Sequence, residues 1–492
     1  MTLSVLMRRC LIATLTAGGV AGGLFVVSDR TDRDQLETVL AHQHRDPTPG
    51  SARRPTTSRA GERGERRATR GLPTAAGSIG ATPTPSTTLT PAPAAGAPDT
   101  GATTSRVSTT GTTSTATSPS REATVPAAPP SGGACAGAPS SPAVVNVTTT
   151  GARAGDSGDD TAAIQAAIDA VPNGGTVLVP DGIYLINGAR GVRPKSSMTL
   201  RLAAGAVLRV IATSSGNYNV IRIQGVSNVA VVGGTVEGDL GRHPGNSGQW
   251  GHGISVNDSR SVTIDSVTSA EAWGDGFYVG GTSSADITLC RVRADHNRRQ
   301  GISVTDVDGM VIRDSVFTRT VSEPGGAGSG IDLEPNGNQH VHNVQLLNNT
   351  ITDNSVQGLS IGISDQYRAS SSVRNITVRG NTFDNNGLSA SPTVMRTGMY
   401  ISDVSTVLVE GNTVRRSHGA GIYVTSGSRQ VTVRGNTVTG TTKAGKHGES
   451  GAGIAMYQDV GTVVTGNTVT GNAGTPIFTY DSQSTISGNT TS

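Results

Sequence analysis

GHGISV at residues 251–256 returns as GDGFYV at 274–279 and RQGISV at 299–304, and again as GSGIDL, VQGLSI, RTGMYI, GAGIYV, GAGIAM and GTPIFT. The third residue of the phrase is a glycine at 253, 276, 301, 330, 358, 398, 421 and 453, at intervals of 23, 25, 29, 28, 40, 23 and 32. A unit of that length, repeated throughout, is the mark of a solenoid. Within the phrase apolar and polar residues alternate, as in a short strand with one buried face. Ile254, Phe277, Ile302, Ile331, Leu359, Met399, Ile422 and Ile454 are thus expected to form one inward stack.

Each phrase is followed by a second apolar run, such as SVTIDS, DITLCR, NITVRGN or QVTVRGN. Two or three short strands per coil cannot bury a core alone, but they can stack coil upon coil. Asn381, Asn412, Asn436 and Asn467 recur at one corner and predict a buried ladder of side-chain amides. The unequal intervals place inserted loops at the corners, the longest of them before Gly398.

Composition agrees with a long, thin core. Of 492 residues 66 are Gly, and only 3% are aromatic, too few bulky side chains for one compact interior. Charge is segregated along the chain. From Ser140 onward there are 25 Lys+Arg against 27 Asp+Glu, and before it 14 against 9, so the basic pI belongs to the N-terminal part. Nothing in that balance points to nucleic acid.

The N-terminal part reads as delivery and spacing. MTLSVLMRR followed by the apolar run at residues 10–27 suits a signal peptide or an uncleaved anchor over residues 1–27, so the rest is expected to be secreted or held at the cell surface. Membrane contact is expected only through that segment. Residues 28–139 are rich in Pro, Thr, Ser, Ala and Arg and predict a disordered stalk. The folded domain then runs over 140–492. Cys135 and Cys290 leave a disulfide and free thiols both open.

GDSGDDTAAIQAAIDAVPNGGTVLVPDGIYLI, residues 155–186, reads as an acidic helix start, an amphipathic helix near Thr161 to Ala170 with Ile164 and Ile168 on one face, a glycine turn, and strands. Here the chain resembles the pectate-lyase-like superfamily, from about Val145 to the C-terminus. The resemblance implies an all-β, right-handed parallel β-helix whose first coil is closed by that short N-terminal helix.

Stacking the coils at the inter-strand spacing of about 5 Å predicts neighbours. Just before the phrase glycine stand His252, Asp275 and Gln300; three before it, Trp250, Trp273 and Arg298; five before it, Glu271 and His296. Two and four residues after the later glycine come Asp332 and Glu334. The tryptophans and Arg298 are expected to form an exposed platform for sugar rings. His252 oriented by Asp275 supplies a base, Tyr278 a proton donor, and Arg298 and Arg299 fixed positive charge. Glu271, His296, Asp332 and Glu334 complete the substrate-binding set.

That combination suits abstraction of the proton beside a uronate carboxylate, hence lyase or epimerase chemistry on a polysaccharide. Mannuronan C5-epimerases of this superfamily carry a tyrosine, a D-G-F aspartate and an R-H-G histidine on successive coils. The resemblance to them is partial: Asp275-Gly276-Phe277 and Arg299 match, while His252 and Gln300 occupy the tyrosine and histidine places. A polygalacturonase-type hydrolase is the alternative, with Glu271 the only carboxyl expected near Asp275. A noncatalytic adhesin is the third reading. No cofactor is expected, with Ca²⁺ held by Asp306, Asp308, Asp332 and Glu334 as a weaker option. The domain is expected to be a monomer.

Overall fold

The computed structural model describes Cys135, Gly137 and residues 140–492 apart from 323–326, 392–393 and 445–449. The N-terminal segment 1–27 and nearly all of the expected stalk lie outside the described residues. What is described is an all-β solenoid built from three parallel sheets of 13, 12 and 10 strands. Each coil crosses them in turn. The strand Arg260–Asp265 lies in the first sheet, Thr268–Ala270 in the second and Phe277–Gly280 in the third, before Ala285–Cys290 re-enters the first.

The phrases build the third sheet in the expected register. Phe277 pairs with Ile254 on one side and Ile302 on the other, and the column continues through Ile331, Leu359, Met399, Ile422 and Ile454. All eight side chains are buried in one core, where the first sheet adds pairs such as Ile264 with Leu289 and the second adds Phe317, Ile351 and Phe383.

The geometry also explains why the third residue of the phrase is glycine. A β-carbon on each of these eight glycines would lie within 3.0 Å of a carbonyl oxygen on the next coil, that of the next phrase glycine or, after Gly453, of Pro476. The requirement is steric, since no left-handed φ is involved at these positions. Left-handed backbone occurs at other corners, among them Glu271, His296, Arg319, Asp353, Asn385 and Arg416 on successive coils.

The asparagine ladder is present and longer than expected. The side-chain oxygen of each member accepts the backbone N–H of the one before it, from Asn349 through Asn381, Asn412, Asn436 and Asn467 to Asn489. Their Nδ2 groups donate to carbonyls such as Val378 O and Val409 O. Buried turns thus lose no hydrogen bonds to water. A second, shorter ladder joins Asn354 to Asn386.

The α-helix Thr161–Ala170 occupies the expected residues and buries Ile164, Ala167 and Ile168. Its acidic start divides the work: Asp159 accepts from the Thr161 N–H, while the Asp160 carboxylate turns away to the N–H groups of Arg153 and Leu185. Cys135 and Cys290 are joined in a disulfide with Cα atoms 6.1 Å apart, which ties the start of the described chain to the first sheet.

Two substitutions test this account. Gly330→Ala should cost roughly 1–3 kcal/mol, because its methyl group would strike Gly358 O, and Ile351 and Asn354 leave no room. Asn436→Ala should cost about 1–3 kcal/mol by orphaning the Asn412 N–H groups. The exposed neighbour Thr437→Ala should change stability by less than about 0.5 kcal/mol. Urea unfolding of the three variants measures each difference.

Candidate functional site

Along the third sheet the side chain after each inward apolar residue points outward. Pairing aligns Ser255, Tyr278, Ser303, Asp332, Ser360, Tyr400 and Tyr423 in one outer column. The residue before each phrase glycine stands at the adjoining corner. There Gly253 N donates to Asp275 O and Gly276 N to Gln300 O, both at 3.1 Å, which stacks His252, Asp275 and Gln300 as expected.

Asp275 is wholly buried at this corner. Its Oδ1 accepts the Gln300 N–H at 3.1 Å and its Oδ2 accepts Arg299 Nη1 at 3.5 Å. His252 Nδ1 lies 3.4 Å from Asp275 Oδ2, but it accepts the backbone N–H of Asp275 at 3.2 Å. Nδ1 is therefore an acceptor, and the neutral ring carries its proton on Nε2. Burial pushes His252 down to about 4, against the pull of Asp275 and with the help of Arg299. This corrects the expected role: His252 is not a base oriented by the Asp275 carboxylate, because one lone pair is already engaged and the other nitrogen holds the proton. Tyr278 stacks on the imidazole, with centroids 4.9 Å apart, and its hydroxyl meets Thr305 Oγ1 at 3.0 Å.

A residue left out of the expected site joins its two halves. Gln300 Oε1 accepts the N–H groups of Gly328 and Ser329, which turns its Nε2 onto Asp332 Oδ2 at 2.7 Å. One glutamine thus takes Asp275 by its backbone and Asp332 by its side chain. Asp332 is 1% exposed. Burial raises it to about 7; a hydrogen bond from Ser360 and the charge of Arg299 oppose the rise, and Asp275 adds to it. Gln300 was visible in the corner column, but its position alone carries no sign of a bridge across two coils.

The expected aromatic platform is not formed by Trp273. Arg298 Cζ sits 3.9 Å from the centre of its ring and the His243 imidazole stacks 3.8 Å away. Two groups that close occupy opposite faces, so no face remains for a sugar. Trp273 is 8% exposed, and its indole N–H donates to Ser247 O. Arg298 is likewise held, donating to Gly248 O and Trp273 O. Behind this stack lies an unexpected buried chain. Tyr218 donates to Asp239, whose other oxygen lies 3.0 Å from His243 Nδ1, and the Trp273 N–H donates to the Tyr218 hydroxyl. Trp250 remains half-buried on the neighbouring coil.

Glu271 and His296 meet as expected, Oε1 to Nδ1 at 2.7 Å, but on an exposed corner. Glu271 is consequently committed to His296, and the carboxyl linked to Asp275 is Asp332. Glu334 is buried two residues beyond Asp332 on the same outward side. Asp306 and Asp308 have other partners, the His340 N–H and Asn343 Nδ2. Among the described residues no three or more His, Cys, Asp or Glu side chains are arranged to hold a metal.

Known proteins agree with this architecture. "Uncharacterized protein YclG" of Bacillus subtilis is 25% identical over 346 residues, 60% of this chain and 56% of that protein. A second Bacillus subtilis relative is matched over 35% of its length, so the chain spans about half or less of these relatives. An iota-carrageenase of Alteromonas macleodii is 33% identical over 82 residues, 16% of each chain. Among solved structures, PfbA, a surface adhesin of Streptococcus pneumoniae, superimposes with a TM-score of 0.55 at 17% identity, covering 71% of this chain and 91% of that one. The family model described as "Right handed beta helix region" matches residues 219–438 and 325–491. With more than half of its length under that model, and with three parallel sheets wound coil upon coil, the chain belongs to the right-handed β-helix family.

Proposed function

We propose that this chain acts outside the cell on a polysaccharide and cleaves glycosidic bonds, with Asp332 as the general acid and Asp275 as its partner carboxylate. One observation carries the reading: Gln300 joins two buried carboxyl groups whose surroundings differ, Asp275 facing Arg299 and Asp332 lifted to about 7 by burial. A protonated acid beside a carboxylate is the pairing that glycoside hydrolysis requires. Asp332 would give its proton to the leaving oxygen, and Asp275 would take one from the attacking water.

The spacing suggests a stereochemical outcome. Asp275 and Asp332 stand on coils two apart, with Asp332 level with Tyr278, so their backbones are separated by at least about 10 Å, and both side chains reach toward Gln300 between them. This favours the wider separation of inverting enzymes, roughly 6.5–9.5 Å, which leaves room for a water. The Cys135–Cys290 disulfide fits an oxidising, extracellular setting. The iota-carrageenase match over 82 residues is compatible with carbohydrate as the partner.

A lyase or epimerase reading retains Arg299 to neutralise a uronate and Tyr278 as the proton-transfer group, since His252 has no free lone pair for the task. The products separate the readings. On a panel of sulfated, uronate and neutral polysaccharides we expect new reducing ends without the ultraviolet absorbance of an unsaturated uronate. That absorbance would instead mean a lyase, inversion at C5 without cleavage an epimerase, and binding without either an adhesin.

Asp332→Asn should lower turnover by 10²-fold or more with little change in binding. Wild-type activity should fall as pH rises through about 7, because the acid then loses its proton. Stability should follow the same group. Between the ordinary carboxylate range and about 7 the folded chain holds a proton that the unfolded chain has released, so its contribution is lost as pH rises. Thermal unfolding against pH should show a shallower decline in Asp332→Asn.

A further inference from the structure

The outer column that carries Tyr278 and Asp332 begins two coils before Ser255, at a pair of arginines. Val192 and Ile221 are bridged in parallel and buried, so the residues after them, Arg193 and Arg222, are neighbours on the outer side. The Arg222 N–H donates to Val192 O at 2.8 Å, and Gln165 of the capping helix accepts the Arg193 N–H and seats it. Arg222 then pairs with Ser255, Ser255 with Tyr278, Tyr278 with Ser303 and Ser303 with Asp332. One line of side chains thus runs from Arg193 to Asp332.

Among the described residues neither guanidinium has a carboxylate partner. Arg193 Nε donates to the carbonyl of Arg190, and burial and the charge of Arg193 hold Arg222 below the ordinary guanidinium range. The acids at the capping helix are taken: Asp159 by Arg190, Asp160 by the N–H groups of Arg153 and Leu185, and Asp169 by Gln165. Like charges at directly opposite strand positions repel, so the pair is set against the fold's own stability. The next position in the column, Ser255, is buried, and its hydroxyl has no hydrogen-bond partner. An unpaired buried hydroxyl costs free energy that a bound acceptor removes.

Two uncompensated cations beside an unpaired donor are complementary to an oxyanion, which offers charge and several acceptor oxygens together. We propose that Arg193, Arg222 and Ser255 bind an anionic substituent, a carboxylate or a sulfate ester, of a polysaccharide laid along the outer face of the third sheet. Arg222 and Asp332 are four coils apart, about 20 Å, so the anion belongs to a sugar some residues away from the bond that Asp332 protonates. That placement rests on the function proposed above, whereas the anion site stands on its own residues.

Calorimetry on the full chain compares dextran sulfate with dextran, and polygalacturonate with its methyl ester, so that each pair differs chiefly in charge. We expect the charged member of at least one pair to bind, its affinity to fall about 10-fold or more in Arg193→Gln/Arg222→Gln, and Ser255→Ala to weaken it less. The N-terminal part is itself basic, so Arg66→Gln/Arg67→Gln, which removes the same charge there, is the control and should change affinity far less. Sodium sulfate gives a readout that needs no sugar. It stabilises proteins in general relative to chloride, so its effect on the unfolding temperature at equal ionic strength is compared between wild type and Arg193→Gln, and the wild type should gain more. Arg193 is exposed, and unchanged circular dichroism is the folding control. The tighter of the two charged glycans identifies the substituent. No binding of either, equal affinity in wild type and Arg193→Gln/Arg222→Gln, or neutral glycans bound as tightly as charged ones overturns the proposal. Full turnover in Asp332→Asn overturns the hydrolase reading instead and leaves the anion site standing.

Discussion

Where each coil passes closest to the next, a carbonyl oxygen stands in the space that a β-carbon would need. That contact repeats at all eight phrase glycines, and the rest of the solenoid depends on it. It brings successive corners to hydrogen-bonding distance, so that Gly276 N reaches Gln300 O and Gly301 N reaches Ser329 O. A residue with a side chain there would push the coils apart or force them out of register, and a slip of one residue would turn every inward side chain outward. The interior stack from Ile254 to Ile454 and the asparagine ladder both rest on that fixed pitch.

The same contact determines what a site on this protein can be. Groups one coil apart are held at strand spacing, and charged groups at a buried corner must find partners on neighbouring coils. Asp275 does so through Arg299 and the Gln300 backbone, and Asp332 through the Gln300 side chain. Burial then acts unequally on the titrating groups: it lowers His252 to about 4 and raises Asp332 to about 7, so both are neutral near pH 7 or just below it. An imidazole so hard to protonate is a weak base, and its Nδ1 is already engaged by the Asp275 N–H.

The Trp273 stack shows how an aromatic ring in a coil of small residues is put to use. With few bulky side chains to fill the corner, the indole packs between Arg298 and His243, and the buried Tyr218–Asp239–His243 chain fixes that sandwich from an earlier coil. A ring covered on both faces contributes packing area and a cation–π contact rather than a surface for sugars.

The periodic glycines, the alternation beside them and the recurrent asparagines were enough to establish the coil, its register, the inward stack and the corner column of His252, Asp275 and Gln300, because a parallel solenoid turns sequence offsets directly into neighbours. The pairing of Glu271 with His296 was legible on the same ground. Offsets place backbones, however, and leave side-chain direction undetermined. That Gln300 turns its amide to Asp332, that His252 accepts from an N–H instead of donating to a carboxylate, and that His243 from a coil without the phrase covers Trp273 were decided only by the tertiary structure. Rotamers and protonation answer to the packing and burial of the assembled corner, which involve residues far apart in the chain and follow no period.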